Sequence, residues 1–533
     1  MSKIIGINYA SHDSSVTYIE DGIVKFSMEE EKFTGIKSIN NHFAHPTKGL
    51  EYIEKKYGVN IYNCDIVAFS LPYMRQFIKT HGPHIADKTV SYSHHDCHAL
   101  GSYFTSGMDG KVISLSHDGK GYRSRGKIFL CDNGFYEEIH SQHIPVTASL
   151  AGLWAASTTY LGWRMLKDEG KVVGLAAHGK LNQRIYDLFK MCMYYDGNLN
   201  FKPSNWESLL HHTFHSYLSE EGIFTNKESR EDYAFTLQKF SEDLMYEYLK
   251  DIHIKYPEYR KLCLSGGLFA NVKLNQFINN LDFFDEIYIH PSMGDGGLSL
   301  GAAVIAANEI NEIKKPIKFE NVFFGDSFTK EDWDRELLEY TNQIKIEPMT
   351  YQAAASLIND GYVLGCFFGR TEYGPRALGN RSIVVRPTDV ETHERLNKKL
   401  RRTEIMPFAP SIISEKFSEI FKEQKSLHTA EFMTLCYDTN HEWLEKIPAV
   451  VHDKDKTARP QRVIKENNPH FHRLISEYYD ISGIPVVLNT SFNAHGEPIN
   501  NYPSQVIKHL MDDSIDYLVN EFYIISKNGR DLS

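Results

Sequence analysis

The segment Val112-Ile113-Ser114-Leu115-Ser116-His117-Asp118-Gly119-Lys120-Gly121 decides the fold, because an apolar run ends there in a polar, glycine-rich turn. This pattern predicts a buried strand followed by a tight turn. Residues 127–131 then read as a returning strand, and residues 132–134 as a further turn. The same succession opens the chain about a hundred residues earlier, which indicates an internal repeat. The two segments share no sequence identity, so the predicted repeat is one of architecture.

The opening segment predicts three strands. Residues 3–9 are an apolar run, residues 11–15 a polar turn, and residues 16–19 a second strand. Asp21-Gly22 is a hairpin signal, and residues 23–28 follow as the third strand. The backbone N–H groups of the polar turn suit a phosphate or a carbonyl, although a plain edge hairpin fits the same pattern.

Two histidines mark a candidate metal site. His94 and His98 lie four residues apart in His94-His95-Asp96-Cys97-His98-Ala99. On a helix this spacing places both imidazoles on one face, where they can hold a metal ion and leave positions open for carboxylates, water or substrate. Asp118 and Asp295 are the carboxylate candidates. A histidine-rich solvated loop is the alternative.

Composition limits the class of protein. A chain of 533 residues predicts two to four domains, and 42% hydrophobic with 24% charged residues is ordinary for a globular protein. No apolar run reaches the roughly 20 residues of a membrane span, and the N-terminus lacks a signal-peptide pattern, so we expect a cytoplasmic protein. The net charge of −11 disfavours non-specific duplex binding. The seven scattered cysteines argue against a disulfide framework.

The middle of the chain predicts a mainly helical stretch and then a glycine turn. Residues 149–163 and 184–252 look helical, and residues 251–259 look like a loop. Residues 261–271 read as strand, Gly266-Gly267 turn and helix start, an arrangement that favours an anion or a nucleotide. A helix rich in small residues opens at Gly296. The charged stretch that ends near Met349 places a domain boundary at 320–350.

The last part of the chain has arginines beside turn residues. Three clusters lie at residues 369–383, 397–402 and 457–462. Because the guanidinium fork matches phosphate oxygens, three clusters in one half favour a phosphate pocket, although any single arginine is more simply surface charge. Neutral donors follow a strand at residues 489–493. The basic run at 398–402 is also compatible with a nucleic-acid contact or a solvated helix face.

These motifs, in this order, resemble the O-carbamoyltransferases of the NodU and tobramycin-carbamoylating type, from Ile5 to about Asn500. The resemblance implies an α/β protein. Residues 1–340 would form an ASKHA (actin/hexokinase-like) duplicated domain similar to the protein that makes threonylcarbamoyl-adenosine in tRNA. Residues 345–533 would form a YrdC-like domain that makes an activated carbamoyl adenylate.

In the first half, the resemblance assigns catalytic roles to His12, Asp13 and Lys37. The family pattern Glu-Glu-Arg-x-x-Arg-x-Lys-His keeps its lysine at Lys37, while Lys32 replaces the first arginine. The resemblance implies an iron-like divalent metal, Fe²⁺, on His94, His98, Asp118 and Asp295; Mg²⁺ is compatible with it as well. The nucleotide-binding residues that it implies in this half are Lys171, Gly174, Gly266, Gly267 and Asn271.

In the second half, the matching residues are Arg370, Arg376, Arg381, Arg459, Asn489, Ser491 and Asn493. The family has a lysine, then Arg-Glu, then an arginine before Pro-Phe-Ala-Pro. Here the arginine position is Met406, and the lysine position falls at Leu400 or Arg401. The role of that lysine is left to Lys399, Arg401 or Arg402, and Arg401 and Arg402 are assigned to the phosphates.

The implied reaction has two steps. Carbamoyl phosphate and ATP give carbamoyl adenylate and pyrophosphate, and the carbamoyl group then passes to a hydroxyl. The acceptors that the resemblance offers are natural-product or sugar hydroxyls and hydroxymethylated pyrimidines in nucleotides or DNA, with no membrane partner; a homodimer is compatible with it. The alternatives are an ATP-dependent ASKHA-fold sugar or carboxylate kinase, and a nucleotide-sensing or chaperone-like protein of the same fold.

Overall fold

A computed structural model describes residues 2–9, 13–37, 46–71, 74–119, 121, 124–143, 149–203, 218–220, 222–401, 405–422 and 425–530. The chain forms two compact units. The first contains Met1–Tyr9, Thr17–Ile23 and Val59–Phe319, and the second contains Ala10–Val16, Val24–Gly58 and Glu320–Ser533. The assignment of carbamoyl transfer to residues 1–340 and of adenylate formation to residues 345–533 stays a prediction.

In the described residues, the strands in chain order are β1 (Lys3–Asn8), β2 (Ser15–Glu20), β3 (Ile23–Glu29), β4 (Ile66–Ser70), β5 (Thr89–Tyr92), β6 (Lys111–His117), β7 (Gly126–Asp132), β8 (Phe135–Ser141), β9 (Met193–Tyr195), β10 (Phe201–Pro203), β11 (Lys261–Ser265), β12 (Glu286–Ile289), β13 (Ile344–Pro348), β14 (Leu364–Phe367), β15 (Arg381–Val385), β16 (Ala409–Ile413), β17 (Tyr437–Asp438), β18 (Thr457–Ala458), β19 (Gln461–Val463), β20 (Val486–Ser491), β21 (Tyr517–Asn520) and β22 (Tyr523–Lys527). The α-helices are Glu30–Thr34, Thr47–Tyr57, Met74–His81, His94–Thr105, Leu150–Tyr160, Glu169–Ala176, Gln183–Cys192, Lys227–Lys255, Val272–Asn279, Leu298–Glu309, Lys330–Leu337, Tyr351–Asn359, Thr392–Lys399, Phe417–Ile420, Pro469–Ser482 and Pro503–Met511.

The first unit contains the predicted repeat. Neighbouring strands follow the order β2-β1-β4-β5 in one sheet and β7-β6-β11-β12 in the other. In each sheet three successive strands pair in parallel: β1 with β4 and β4 with β5, and β6 with β11 and β11 with β12. The structure confirms the duplicated α/β architecture of the actin/hexokinase-like type.

A helix follows the last parallel strand of each repeat, and these two helices pack against each other. His94–Thr105 follows β5 and Leu298–Glu309 follows β12. A Cβ atom at Gly101 would lie 2.9 Å from the Gly301 Cα atom. The small residues predicted after Gly296 therefore allow a backbone-to-backbone approach that larger side chains would prevent.

The second unit is built on one mixed sheet, with the strand order β13-β22-β21-β14-β15-β20-β16-β19. Strand β20 is antiparallel to both β15 and β16, and β14 is parallel to β21. Helices Tyr351–Asn359 and Pro469–Ser482 contribute Ile358, Phe471 and Leu474 to a buried core against this sheet. This unit confirms the α/β class for the second half of the chain.

The helical prediction for residues 184–252 was wrong in its middle. Strands β9 and β10 form an antiparallel pair there, and Gly197 has φ 75° in the turn between them. Aromatic residues favour a strand pair, and a glycine at positive φ favours a turn. The loop predicted at 251–259 was also wrong at its start, because the helix continues to Lys255.

Two composition-based expectations can be compared with the structure. All seven cysteines are free thiols, and all are buried. Burial raises the pKa of Cys64 to about 11 and that of Cys192 to about 12, so these thiols behave as small apolar side chains. Among the described residues, none of the helices is long and apolar enough to cross a membrane.

Candidate metal centre

The four predicted metal ligands lie together in the first unit. One ligand atom from each of His94, His98, Asp118 and Asp295 falls within 4.8 Å of all the others. The His98 Nε2 atom is 3.1 Å from Asp118 Oδ2 and 3.6 Å from Asp295 Oδ1. The His94 Nε2 atom is 3.6 Å from each of the same two oxygens. The four side chains that the sequence predicted as metal ligands therefore lie close together in the structure.

Each ligand occupies the end of a regular element. His94 and His98 lie in the first turns of their helix, which begins after a capping box formed by Ser93 and Asp96. Asp118 directly follows β6, and Asp295 opens the short turn before the helix Leu298–Glu309. Because the carboxyl ends of parallel strands meet at one edge of an α/β sheet, these positions converge.

The charges of the cluster need a cation. Burial raises the pKa of the Asp118 carboxyl, but the imidazoles of His94 and His98 outweigh this and hold the pKa well below its ordinary value. Burial likewise lowers the pKa of His98, but Asp118 and Asp295 outweigh it and raise the pKa to about 9. A positive charge between the two carboxylates is thus favoured, and a divalent metal would supply it with neutral imidazoles.

The donor set fits such an ion. Two imidazole nitrogens and two carboxylate oxygens are ligands that Zn²⁺, Fe²⁺ and Mn²⁺ accept. Both Nε2 atoms are buried and make no hydrogen bond of normal geometry. The His98 Nδ1–H group donates to Ser265 Oγ at 3.2 Å, and Ser265 donates to the Met293 carbonyl at 3.3 Å. This chain of bonds orients the His98 ring so that Nε2 faces the two carboxylates.

Hydrogen bonds fix the Asp118 carboxylate and the backbone of Asp295. Asp118 accepts hydrogen bonds from the Gly119 N–H at 2.5 Å and the Gly267 N–H at 3.2 Å. Asn8, at the end of β1, donates to the Asp295 carbonyl at 2.8 Å. The sequence analysis missed Asn8 and Ser265 as supporting residues. Ser265 could have been found, because it stands in the Ser-Gly-Gly motif, whereas Asn8 carries no local signal.

The residues between the two histidines point elsewhere. His95 contacts Ser116 Oγ at 3.1 Å and the Ser124 carbonyl at 3.0 Å, and burial holds its pKa well below the ordinary value. Asp96 accepts from Lys127 Nζ at 2.6 Å. A neutral His95 and a paired Asp96 therefore anchor the helix start, and neither belongs to the ligand cluster.

The predicted nucleotide residues of the first unit have structural partners. Gly266 has φ 106°, and a Cβ there would lie 2.7 Å from the carbonyl carbon of His117. Asn271 caps the helix Val272–Asn279 and donates to Gln238 at 2.8 Å. Lys171 is buried and pairs with Asp168 at 3.3 Å, in the helix that also contains Gly174. Their nucleotide contacts remain a prediction.

Two arginines of the second unit bind backbone carbonyls. Arg370 donates to the carbonyls of Gly325, Lys25 and Phe324 at 2.6–2.9 Å. Arg381 is fully buried, donates to the Phe368 carbonyl at 2.7 Å and lies 3.5 Å above the Phe367 ring. Burial lowers the pKa of Arg381 to about 10. These contacts give both residues a structural role, and their phosphate contacts stay predictions.

The other predicted residues of the second unit differ in burial, and Asn489 and Asn493 are buried. Arg376 and Arg459 are half-buried, and Arg401 is exposed with φ 53°. Asn489 donates to the Ala377 carbonyl at 3.1 Å, and Ser491 donates to Asn493 at 2.6 Å.

Lys399, one candidate for the family lysine role, pairs with Asp516 at 2.7 Å. Asp13 and Lys37 belong to the second unit, where Asp13 is half-buried and Lys37 is exposed. His12 and Arg402 lie outside the described residues. The catalytic and phosphate-binding roles of these residues are untested and remain predictions.

Comparisons with known proteins identify the family of this chain. Family profiles described as Carbamoyltransferase N-terminus and Carbamoyltransferase C-terminus match residues 3–72 with 80–304, and residues 355–527. These matches cover most of the chain, in the order that the sequence motifs predicted. The chain belongs to the carbamoyltransferase family.

Two similar proteins match nearly the whole chain. An uncharacterised protein of Methanocaldococcus jannaschii is 31% identical over 97% of this chain and 98% of its own length. The nodulation protein NolNO of Sinorhizobium fredii is 28% identical over 98% of this chain and 80% of its own length. Among solved structures, HypF of T. kodakarensis is 13% identical, with a TM-score of 0.35, over 60% of this chain and 49% of its own.

Proposed function

We propose that this protein is an ATP-dependent O-carbamoyltransferase. Water hydrolyses carbamoyl phosphate to carbamate and inorganic phosphate. A carbamate oxygen then attacks the α-phosphorus of ATP and the bond to the β-phosphate oxygen breaks, which gives carbamoyl adenylate and pyrophosphate. An acceptor hydroxyl then forms a bond to the carbamoyl carbon, and the bond from that carbon to the AMP oxygen breaks. The hydroxyl proton passes to a general base, for which the sequence offers His12 and Asp13.

The cluster of His94, His98, Asp118 and Asp295 carries this proposal. Carbamoyl adenylate has an anionic phosphate, and two bare carboxylates would repel it. A divalent cation held by these side chains would neutralise the carboxylates and stabilise the charge that develops on the departing AMP. The chain's own contribution is orientation, because Ser265 fixes the His98 ring and the N–H groups of Gly119 and Gly267 fix Asp118.

Adenylate formation is assigned to the second unit by the arginine motifs. Arg370 and Arg381 use their guanidinium groups on backbone carbonyls. We therefore assign the contacts with the ATP phosphates to Arg376 and Arg459, with Arg401 and Arg402 as the further candidates. Electrostatic stabilisation by such groups is the dominant effect in phosphoryl and nucleotidyl transfer.

Product analysis tests the proposal. The metal-loaded protein is incubated with ATP and carbamoyl phosphate, and pyrophosphate, AMP, ADP and phosphate are quantified. We expect pyrophosphate in step with carbamoyl phosphate consumption, and AMP when an acceptor is present. ADP with inorganic phosphate as the only products would refute the proposal and favour the ASKHA-fold kinase.

A pair of variants tests the role of the metal cluster. Asp118→Asn is expected to bind less metal and to transfer the carbamoyl group at least a hundredfold more slowly, since it removes one anionic ligand. Asp285→Asn is the matched control, because Asp285 lies in the same unit, is 65% exposed and pairs with Arg260 at 2.6 Å, away from the metal cluster. Equal transfer rates and equal metal content in the two variants would contradict the proposed role.

A further inference from the structure

A cleft of about 200 Å³ opens beside the metal cluster, in the first unit. Its walls include His94 and His95 from the start of the helix, Ser124 and Lys127 near and on β7, and Glu138 and Ser141 on β8. His94 belongs to both the cleft and the metal cluster. A group bound in the cleft would therefore lie next to the place assigned to the adenylate phosphate.

The charges along this cleft have a fixed arrangement. Lys127 Nζ lies 2.6 Å from Asp96 Oδ1 and 2.7 Å from Glu138 Oε2. The other Asp96 oxygen accepts from the Ser93 N–H at 3.0 Å, so the Asp96 end of the network cannot rotate freely. Asp96, Lys127 and Glu138 together leave one net negative charge beside the cleft, and of the three Lys127 and Glu138 line it. Glu138 is the most exposed of the three charged side chains, at 41%.

The size and the residue types of the cleft limit what it can bind. Drug-sized ligands occupy pockets of roughly 300–1,000 Å³, so about 200 Å³ suits one small ring or one end of a larger molecule. Among the described residues that line it, hydroxyl, imidazole, ammonium and carboxylate groups predominate, and no phenylalanine, tyrosine or tryptophan offers a stacking surface for a base. The net negative charge opposes a second phosphate.

We propose that this cleft is the acceptor subsite and that Glu138 selects for the charge of the acceptor. The class of acceptor it takes is a hydroxyl compound that is neutral or carries an ammonium group, whereas phosphorylated acceptors are rejected. Glu138 Oε2 is held by Lys127, and its Oε1 atom accepts hydrogen bonds from the bound molecule. This inference rests on the proposed function and chooses among the acceptors that the family resemblance leaves open.

Three sugars that share one ring but differ in charge test whether the cleft selects by charge. Binding of glucosamine, glucose and glucose 6-phosphate to the metal-loaded protein is measured by saturation-transfer NMR and titration. We expect glucosamine to bind at least as tightly as glucose, and glucose 6-phosphate to bind about tenfold more weakly than either, since a like charge opposes it. No binding of glucose and glucosamine, or equal binding of all three, would overturn the proposal.

Two neighbouring residues of β8 provide the variant and its control. Glu138→Gln keeps the shape of the side chain and removes its charge. We expect this variant to bind glucosamine about tenfold more weakly than wild type does. Its affinity for glucose 6-phosphate should become closer to its affinity for glucose. Glu137→Gln removes the same charge from the next residue, which the pleat directs to the other face of the strand, and should leave all three affinities unchanged. Equal effects of the two variants would refute a role for Glu138.

The failure of this inference can be told from the failure of the proposed function. Pyrophosphate release from ATP and carbamoyl phosphate requires no acceptor and should be the same in wild type and Glu137→Gln. If wild type releases pyrophosphate but Glu138→Gln leaves ligand selectivity unchanged, only the acceptor subsite is wrong. If wild type releases no pyrophosphate, the proposed reaction is wrong, and the acceptor subsite falls with it.

Discussion

Substitution of Gly301 by alanine should disturb the metal cluster from a distance. Gly301 lies in the helix Leu298–Glu309, and a Cβ there would be 2.7 Å from the carbonyl carbon of Cys97 and 2.9 Å from its Cα atom. Cys97 lies one residue before His98 and three residues after His94. Because both partners are backbone in a close-packed interior, the two helices must separate by roughly 1 Å.

Two opposing effects set the change in the free energy of unfolding that Gly301→Ala causes. Alanine gains up to about 1 kcal/mol of helix propensity over glycine. Overpacking costs about 1–3 kcal/mol when side chains can adjust, and more when the contact is with backbone. We expect Gly301→Ala to lower the free energy of unfolding by about 1–3 kcal/mol. Displaced metal ligands, like lost supporting residues, should weaken metal binding by about 10- to 100-fold.

Urea unfolding and titration with Fe²⁺ or Co²⁺ measure the two effects. Gly170→Ala is the matched control, because Gly170 lies in the helix Glu169–Ala176 of the same unit and no atom lies within 4 Å of its ideal Cβ position. The control should gain about 0.5–1 kcal/mol of stability and keep its metal affinity. If Gly301→Ala behaves like Gly170→Ala in both measurements, the helix contact does not position the metal ligands.

Three other substitutions test separate parts of the molecule. His98→Ala should abolish carbamoyl transfer and leave pyrophosphate release largely intact in product assays; lost pyrophosphate release would contradict the division of labour between the units. Lys32→Met should lower the free energy of unfolding by about 3–5 kcal/mol, because it removes the ammonium group that lies 2.8 Å from the buried Glu29 carboxylate. Lys48→Met, which removes an exposed ion pair, should change the free energy of unfolding by less than about 1 kcal/mol in the same urea experiment. Burial lowers the pKa of His290 to about 4, whereas a histidine in an unfolded chain has a pKa of ~6.5. As the pH falls, the unfolded state therefore binds the proton first, and the free energy of unfolding decreases by about 3 kcal/mol between pH 6.5 and pH 4. Urea midpoints at pH 7 and 4.5 should show a shallower decline for His290→Asn, and an unchanged decline would count against this cause.

The fold could be predicted where local pattern and tertiary packing agree. The apolar runs of β1, β6 and β11 end in glycine or polar turns, and all three are strands in the structure. The segment of residues 184–252 failed because it contains good helix formers on both sides of a short aromatic hairpin. Only the turn at Asp196-Gly197 signals that hairpin, and a three-residue strand is too short for a periodicity to show.

The ligand cluster could be predicted because a family motif joined residues that are far apart in the chain. The contacts that support the ligands could not be predicted from the sequence, since they depend on the register of paired strands. Lys127 reaches Asp96 only because Ser116 on β6 faces Lys127 on β7, while Asn8 reaches Asp295 from the end of β1. Residue type alone could not show that Arg381 donates to buried carbonyls, because a guanidinium group serves carbonyls as well as it serves phosphate.

The position of the cluster follows from the duplication of the fold. β1 and β6 are the central strands of the two repeats, and Asn8 ends one while Asp118 follows the other. His94 and His98 stand in the helix after the first repeat's last strand, and Asp295 precedes the corresponding helix of the second. Each repeat thus supplies ligands from its own strand ends, and the tight packing at Gly101 and Gly301 sets the distance between the two sets. A metal bound there would join the two repeats, so its binding energy would add to the stability of the first unit as well as to catalysis.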